Sequence, residues 1–145
     1  AAEAPNDVET AIIVLEELDI PLYTPAAEVE GIPKAVLELN EKMSRAGAYV
    51  FISPEYNGSI PPVFNNAIAW ISRSTKDWRH NFSGKFAVVA TMSGGGGQKV
   101  VQAMRSQLEH LGTTVHSHAL ICSSQKPLNP ESANRVMSDL SYWLR

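Results

Sequence analysis

The stretch SPEYNGSIPPVFNNAIAW, Ser53–Trp70, constrains the fold and the site of this protein more than any other part of its sequence. It places a polar, turn-rich segment with almost no charge between an apolar run and an apolar helical pattern. Asn57-Gly58 predicts a tight turn, and Pro61 and Pro62 fix the backbone where the helix begins. Ordinary connections rarely need this much local specification, so we expect the loop to hold a ligand.

Apolar runs of strand length alternate with helical patterns along the whole chain, which is typical of a parallel sheet covered on both faces. The first predicted strand is the run Ala11–Leu18, which is rich in β-branched residues at its start. The other three are Ala48–Ser53, Lys85–Met92 and Thr114–Cys122. The first predicted helix begins at Pro33, and the second runs from Pro61 to Ser72. The third carries Val101 to Leu111 and is closed by Gly112. The last starts at Asn129-Pro130 and has Val136, Leu140 and Leu144 as core residues. The order β-α-β-α-β-α-β-α predicts a doubly wound α/β/α sandwich formed by one domain, residues 1–145.

Composition excludes several function classes. The chain has 145 residues, 44% of them hydrophobic and 19% charged, with a net charge of −3, so it carries no basic surface for nucleic acid. No apolar run reaches the roughly 18 residues that a membrane span needs. The opening residues have neither the basic start nor the apolar core of a signal peptide. The lone Cys122 cannot form an internal disulfide, and a cytoplasmic location is expected.

Two loops follow neighbouring predicted strands at the edge where open α/β sheets bind ligands. The first is Pro54–Ser59, and the second is the glycine run Ser93–Gly97. Glycines let the backbone approach a ligand and expose N–H groups, which suits a flat polar ring or an anion. Either loop alone is more often an ordinary turn or a flexible connection, but the pair favours a ligand site.

The segment SPEYNGSIPPVFNNAIAWISR, Ser53–Arg73, resembles the signature of the NADPH-dependent FMN reductase family. DIPLY upstream and GKFAVVATMSGGGGQ downstream follow in the family's order and spacing, so the resemblance covers essentially the whole chain. It implies a flavodoxin-like fold and an FMN-dependent NAD(P)H oxidoreductase. Hydride or electrons would pass through flavin N5 to a small acceptor, which in this family is a flavin, a quinone, an azo compound or a metal oxyanion. The choice between NADPH and NADH stays open, and a homodimer or homotetramer is expected.

The resemblance also implies which residues contact FMN. Along the isoalloxazine, mostly through backbone groups, it places Pro54, Glu55, Tyr56, Asn57, Gly58 and Ser59. Around the pyrimidine side of the ring it places Ser93, Gly94, Gly95, Gly96 and Gly97. Because the flavin carries the chemistry, no catalytic acid or nucleophile is expected among the side chains.

The sequence departs from the family at its start. Members have a first strand followed by a phosphate-binding loop rich in Gly, Ser and Arg, whereas AAEAPND, residues 1–7, looks like the tail of the first helix. In the flavodoxin-like order 2-1-3-4-5 the first strand is central, so its neighbours should have unpaired inner edges and the chain should hold FMN poorly. A flavodoxin-type electron carrier and a flavin-free binding domain are the alternatives.

Five side chains leave alternatives open. Glu55 is either a flavin-site carboxylate or a solvated side chain. His116 and His118 alternate along a predicted strand and should face the same side, but no third ligand accompanies them, so no metal site is expected. Trp70 lies off the core stripe of its helix and belongs either to ordinary packing or to a dimer face. Trp78 covers a flavin, covers a partner subunit, or sits in a plain surface loop.

Overall fold

The structure, a computed structural model, describes residues 8–145. The prediction that residues 1–7 form the tail of a helix therefore lies outside the described residues. The helices are α1 (Pro25–Val29), α2 (Lys34–Arg45), α3 (Pro62–Ser74), α4 (Gln98–His110) and α5 (Pro130–Trp143). The strands are β1 (Ala48–Ile52), β2 (Phe86–Met92), β3 (Thr114–Val115) and β4 (Leu120–Cys122), and 3₁₀ turns cover Leu15–Leu18 and Trp78–Asn81.

The strands form a parallel sheet with β2 at its centre. β1 pairs with one side of β2, placing Val50 opposite Val88 and Ile52 opposite Ala90. On the other side β3 pairs with the start of β2 and β4 pairs with its end. Helices cover both faces, since α3 and α4 contribute to one apolar cluster and α5 to another. The predicted α/β/α sandwich is therefore confirmed.

The two apolar clusters follow the stripes expected from the sequence. The larger cluster is centred on Phe64, Ile71, Val89, Met104 and Leu108. The smaller one consists of Val88, Val136 and Leu140. Leu144, predicted as core, is instead 40% exposed and lies over Gly47, because α5 ends at Trp143.

The prediction of a first strand is wrong. The run Ala11–Leu18 forms no strand, and its second half, Leu15–Leu18, is a 3₁₀ turn. Ile13 packs against the larger cluster, whereas Ile12 is 77% exposed and Val14 is 44% exposed. This inward and outward alternation suits a strand, but strand structure requires a hydrogen-bonded neighbour. Within residues 8–145 no strand lies beside this run.

The last predicted strand, Thr114–Cys122, is split into β3 and β4. Between them the backbone N–H of His118 donates to the ring Nδ1 of His116 at 3.0 Å. This N–H therefore bonds to a side chain and not to a neighbouring strand. His116 is 7% exposed and its Nε2 donates to Asp139 Oδ2 at 3.1 Å, whereas His118 is exposed. The prediction that both rings face the same side is therefore wrong, because the intervening bend breaks the alternation.

Two side chains of helix α3 hold the segment before α1. Asn66 accepts from the backbone N–H of Tyr23 at 2.7 Å and donates to the carbonyl of Pro21 at 2.9 Å. Trp70 Nε1 donates to the same carbonyl at 2.7 Å, and the Tyr23 ring meets the indole edge-on at 5.2 Å. Trp70 is 1% exposed, so packing within the chain accounts for it.

Candidate functional site

Both predicted loops lie at the carboxyl edge of the sheet. β1 ends at Ile52 and β2 ends at Met92, and the two strands are paired in parallel, so the loops that follow them are neighbours. The structure thus brings together the two segments that the sequence singled out.

The first loop contains a tight two-residue turn. Tyr56 and Ser59 exchange both backbone hydrogen bonds at 3.0 Å, and between them Asn57 has φ 52° and Gly58 has φ 74°. Two successive left-handed residues are the mark of a type I′ turn, for which Asn-Gly is the preferred pair. The turn predicted from Asn57-Gly58 is confirmed, and Tyr56 projects from it 51% exposed.

The second loop is anchored at both ends. Ser93 N–H donates to the carbonyl of Cys122 at 3.0 Å, and Ser93 Oγ accepts from Gly95 N–H at 3.1 Å. At the other end Gly97 has φ 68°, and a Cβ there would lie 2.7 Å from Thr91 Cγ2. Position 97 therefore requires glycine for the fold itself.

The other three glycines of this loop are not required by the packing of the chain. None of them has a positive φ. A Cβ at Gly94 or Gly96 would meet no atom within 4 Å, and one at Gly95 would make only ordinary contacts at 3.8 Å. Their missing side chains leave open space against an exposed backbone, and a flat ring can approach N–H groups there. The residues present fit a planar polar ligand such as the flavin ring.

Glu55 makes a contact within the chain that neither of its two expected roles included. It is partly buried, and its Oε2 accepts a hydrogen bond from the backbone N–H of Val100 at 3.3 Å. Val100 belongs to the first turn of α4, where backbone N–H groups have no intrahelical partner. The carboxylate thus ties the first loop to the helix that follows the second loop.

Two apolar residues at this edge were missed by sequence reasoning. Ile52 is 71% exposed and Met92 is 67% exposed, and the register of β1 and β2 places both on one face of the sheet. The sequence did indicate these two residues, because each is the last residue of a buried apolar run, directly before one of the loops. They form an apolar surface immediately beside the candidate site.

Trp78 lies away from this edge. It precedes β2, next to Asn81, whose carbonyl accepts from Tyr49 Oη near the start of β1 at 2.6 Å. Its ring packs edge-on against Phe82, with the Arg79 guanidinium 4.7 Å from the ring centre. This position at the amino edge of the sheet disagrees with a role in covering a ligand held by the two loops.

Other classes of site find no support in the part of the chain that the structure describes. Among residues 8–145, no group of three or more His, Cys, Asp or Glu side chains could hold a metal ion. Across the same residues, no helix has both the length and the apolar character needed to cross a bilayer.

Comparisons with known proteins agree with the geometry. A family model for NADPH-dependent FMN reductases matches residues 1–126. An NAD(P)H-dependent FMN reductase of Pseudomonas aeruginosa is 41% identical over 76 residues, 52% of this chain and 40% of that protein. A quinone reductase of Escherichia coli K12 is 36% identical over 100 residues, 67% of this chain and 52% of that protein.

Solved structures show the same architecture. The flavoenzyme NAD(P)H:(acceptor) oxidoreductase FerB of Paracoccus denitrificans has a TM-score of 0.66 and 23% sequence identity, with 90% of this chain and 83% of that chain covered. This likeness concerns the fold, which is flavodoxin-like. The chain spans about half the length of the curated relatives it matches.

Proposed function

The chain belongs to the NADPH-dependent FMN reductase family, and from that membership we propose that it is the flavin-binding part of an FMN-dependent NAD(P)H oxidoreductase. FMN lies against the two loops at the carboxyl edge, in contact with residues 54–59 and 93–97. When bound, the flavin supplies hydride transfer between a nicotinamide nucleotide and an acceptor. No side chain of this chain is needed as acid, base or nucleophile.

The observation that carries this proposal is that some positions of the second loop are glycine although the packing of the chain does not require glycine there. Gly94 and Gly96 face open space without a left-handed backbone, although Gly97 beside them is demanded by packing. Backbone N–H groups at Gly94 and Gly96 donate to the polar edge of the ring, while that of Gly95 stays bonded to Ser93 Oγ. Preorganised donors of this kind stabilise negative charge at low reorganisation cost.

A quinone is the acceptor class that we propose. The support is similarity to quinone reductases of Escherichia coli and Pseudomonas putida. The choice between NADPH and NADH is decided by initial rates with each nucleotide. A homodimer or homotetramer stays a prediction, to be measured by light scattering, and the burial of Trp70 removes one argument for it. The cytoplasmic location likewise stays a prediction from the lone Cys122.

We infer in addition that one more β-strand completes the sheet beside β1. Among the described residues β1 pairs only with β2, and its outward-facing Val50 and Ile52 are 37% and 71% exposed. An unpaired strand edge is costly, and a further strand would pair the backbone groups of this edge. Its source is a segment of the same protein outside residues 1–145, since the curated relatives are about twice as long as the part matched. The phosphate-binding loop accompanies that segment.

The experiment is an FMN fluorescence titration of this 145-residue chain and of the full-length protein, followed by NADPH oxidation with a quinone. We expect the full-length protein to quench FMN and consume NADPH, and the shorter chain to bind FMN at least ten-fold more weakly. Absence of both activities from the full-length protein overturns the reductase proposal. FMN binding without NADPH oxidation points instead to an electron carrier. Equal affinity in the two proteins overturns the proposal of an additional strand.

A further inference from the structure

Helix α4 begins without a cap from its own sequence. Its N-cap residue, Gly97, has no side chain to offer, and the helix receives no local side-chain hydrogen bond there. Ser, Thr, Asp or Asn usually serve at this position. They are excluded here because the backbone is left-handed and Thr91 occupies the space that a Cβ needs. A side-chain cap for α4 can therefore come only from elsewhere in the fold.

That cap comes from Glu55, 45 residues earlier in the chain. Its Oε2 accepts from the N–H of Val100, the third residue of α4, at 3.3 Å. A carboxylate at this end of a helix also interacts favourably with the helix dipole. The carboxylate lies beside the second loop as well, since Oε1 is 3.8 Å from the point where a Cβ would sit at Gly95.

A second contact joins the same two elements. The side chain of Lys99 crosses the turn of the first loop, with Cδ 3.1 Å and Nζ 3.7 Å from the Cβ position at Gly58. The first loop and the first turn of α4 therefore meet at two points, one polar and one formed by the lysine stem. Since the second loop ends where α4 begins, these contacts link the two loops.

We propose that Glu55 is a positioning residue that holds the two loops at the spacing FMN requires by capping α4 across the site. Its carboxylate acts through the backbone of α4 and does not touch the ring, whatever contact the backbone of residue 55 makes with FMN. The part that concerns FMN rests on the proposed function, whereas the capping itself does not depend on it. A Gln at position 55 keeps an oxygen that can accept from Val100 N–H, and an Ala does not.

The first test needs no flavin. Amide hydrogen exchange is measured at Val100 in the full-length protein and in its Glu55→Ala, Glu55→Gln and Glu109→Ala variants. Glu109 is a matched control because it lies exposed at the other end of α4. Loss of a capping acceptor corresponds to about a five-fold or larger change in opening. We expect Glu55→Ala to speed exchange at Val100 by about that factor, Glu55→Gln to restore most of the protection, and Glu109→Ala to leave it unchanged. Unchanged exchange at Val100 in Glu55→Ala overturns the proposal.

The second test uses FMN with the same variants. We expect Glu55→Ala to raise the FMN dissociation constant about five-fold or more, in line with the weakened cap. Glu55→Gln should bind with near-normal affinity and an unchanged flavin absorption spectrum. Weakened FMN binding in Glu55→Gln while its protection at Val100 is restored means that the carboxylate acts on the ring directly, which overturns the positioning role. If the unmodified full-length protein binds no FMN, the proposed function fails, while the exchange experiment still decides whether Glu55 caps α4.

Discussion

Thr91 Cγ2 lies 2.7 Å from the point where a Cβ would sit at Gly97. Gly97 is the last residue of the glycine loop and the N-cap of α4, and its φ is 68°. Gly94 and Gly96 in the same run have neither a close neighbour nor a left-handed backbone. One run of identical residues thus contains one position demanded by the fold and others left open to a ligand.

Replacing Gly97 by Ala should destabilise the protein. The left-handed backbone costs about 1–2 kcal/mol with a side chain, and the contact with Thr91 adds about 1–3 kcal/mol of overpacking. Urea unfolding of the two proteins measures the difference. Gly96→Ala is the matched control and should lie within about 0.5 kcal/mol of the unmodified protein. Equal losses in the two variants would contradict this account.

Replacing Gly94 or Gly96 by Ala should weaken FMN binding without loss of stability. The added methyl group enters the space above the loop, so the ring must move away from the backbone N–H groups. We expect the FMN dissociation constant of the full-length protein to rise about ten-fold, the equivalent of one lost hydrogen bond of about 1.4 kcal/mol. Gln102→Ala, an exposed change on α4, serves as the control. Unchanged affinity in both glycine variants would mean that FMN does not rest on this loop.

Trp70→Phe should release the segment that precedes α1. The variant removes the indole donor to the carbonyl of Pro21, which keeps its second donor, Asn66, and the loss of one hydrogen bond costs about 0.5–1.5 kcal/mol. Amide exchange at Tyr23, whose N–H is held by Asn66, should become faster together with the loss of stability. Trp78→Phe changes a partly exposed indole that packs against Phe82 and Arg79, and it should leave Tyr23 protected. Protection of Tyr23 that survives in Trp70→Phe would refute the proposed contact.

Stability should fall at alkaline pH because of Tyr49. Burial raises the pKa of this phenol above its ordinary value of 10.0, and Tyr49 Oη also bonds to the carbonyls of Asn81 and Met43. Above pH 10 the unfolded chain loses the proton while the folded protein keeps it, so the free energy of unfolding decreases as pH rises. The contribution of Tyr49 to this slope stays below about 1.4 kcal/mol per pH unit, because only one proton is involved.

Urea unfolding of the unmodified protein, Tyr49→Phe and Tyr142→Phe between pH 8 and pH 11 tests this dependence. At pH 8 the Tyr49→Phe variant should be less stable by about 1 kcal/mol, since it loses the single O–H that the carbonyls of Asn81 and Met43 share. That gap should narrow above pH 10. Tyr142, 75% exposed, should show no such narrowing. A gap that is constant across the range would contradict the prediction.

Local chemistry made several elements predictable from sequence. Asn57-Gly58 forms the expected turn, Pro62 opens α3 after Pro61, and Gly112 ends α4 with φ 100°. Asn129 caps α5 by accepting from the N–H of Ser132 at 3.1 Å. These outcomes depend on the conformational range of a few adjacent residues. Helix α1 was missed although Thr24 and Pro25 supply the usual cap and first residue, so its indication was present in the sequence.

Elements that need a distant partner were not predictable in the same way. Ala11–Leu18 has a suitable strand pattern but no neighbouring strand among the described residues, so it forms no strand. His116 breaks the last strand because its ring accepts a backbone bond that the ladder would otherwise take. The pattern of apolar residues indicates which side chains of a segment are buried. A strand forms, however, only where a neighbouring strand supplies hydrogen-bond partners.

The sequence by itself determined the α/β architecture, the two loops at one edge and, through its resemblance, the family. Only the tertiary structure decided that Gly97 serves the fold while Gly94 and Gly96 do not, and that Glu55 reaches across to α4. The physical reason is the same in each case. Turn and cap preferences act between residues that are adjacent in the chain, whereas space and hydrogen-bond partners at these positions come from segments up to 45 residues away.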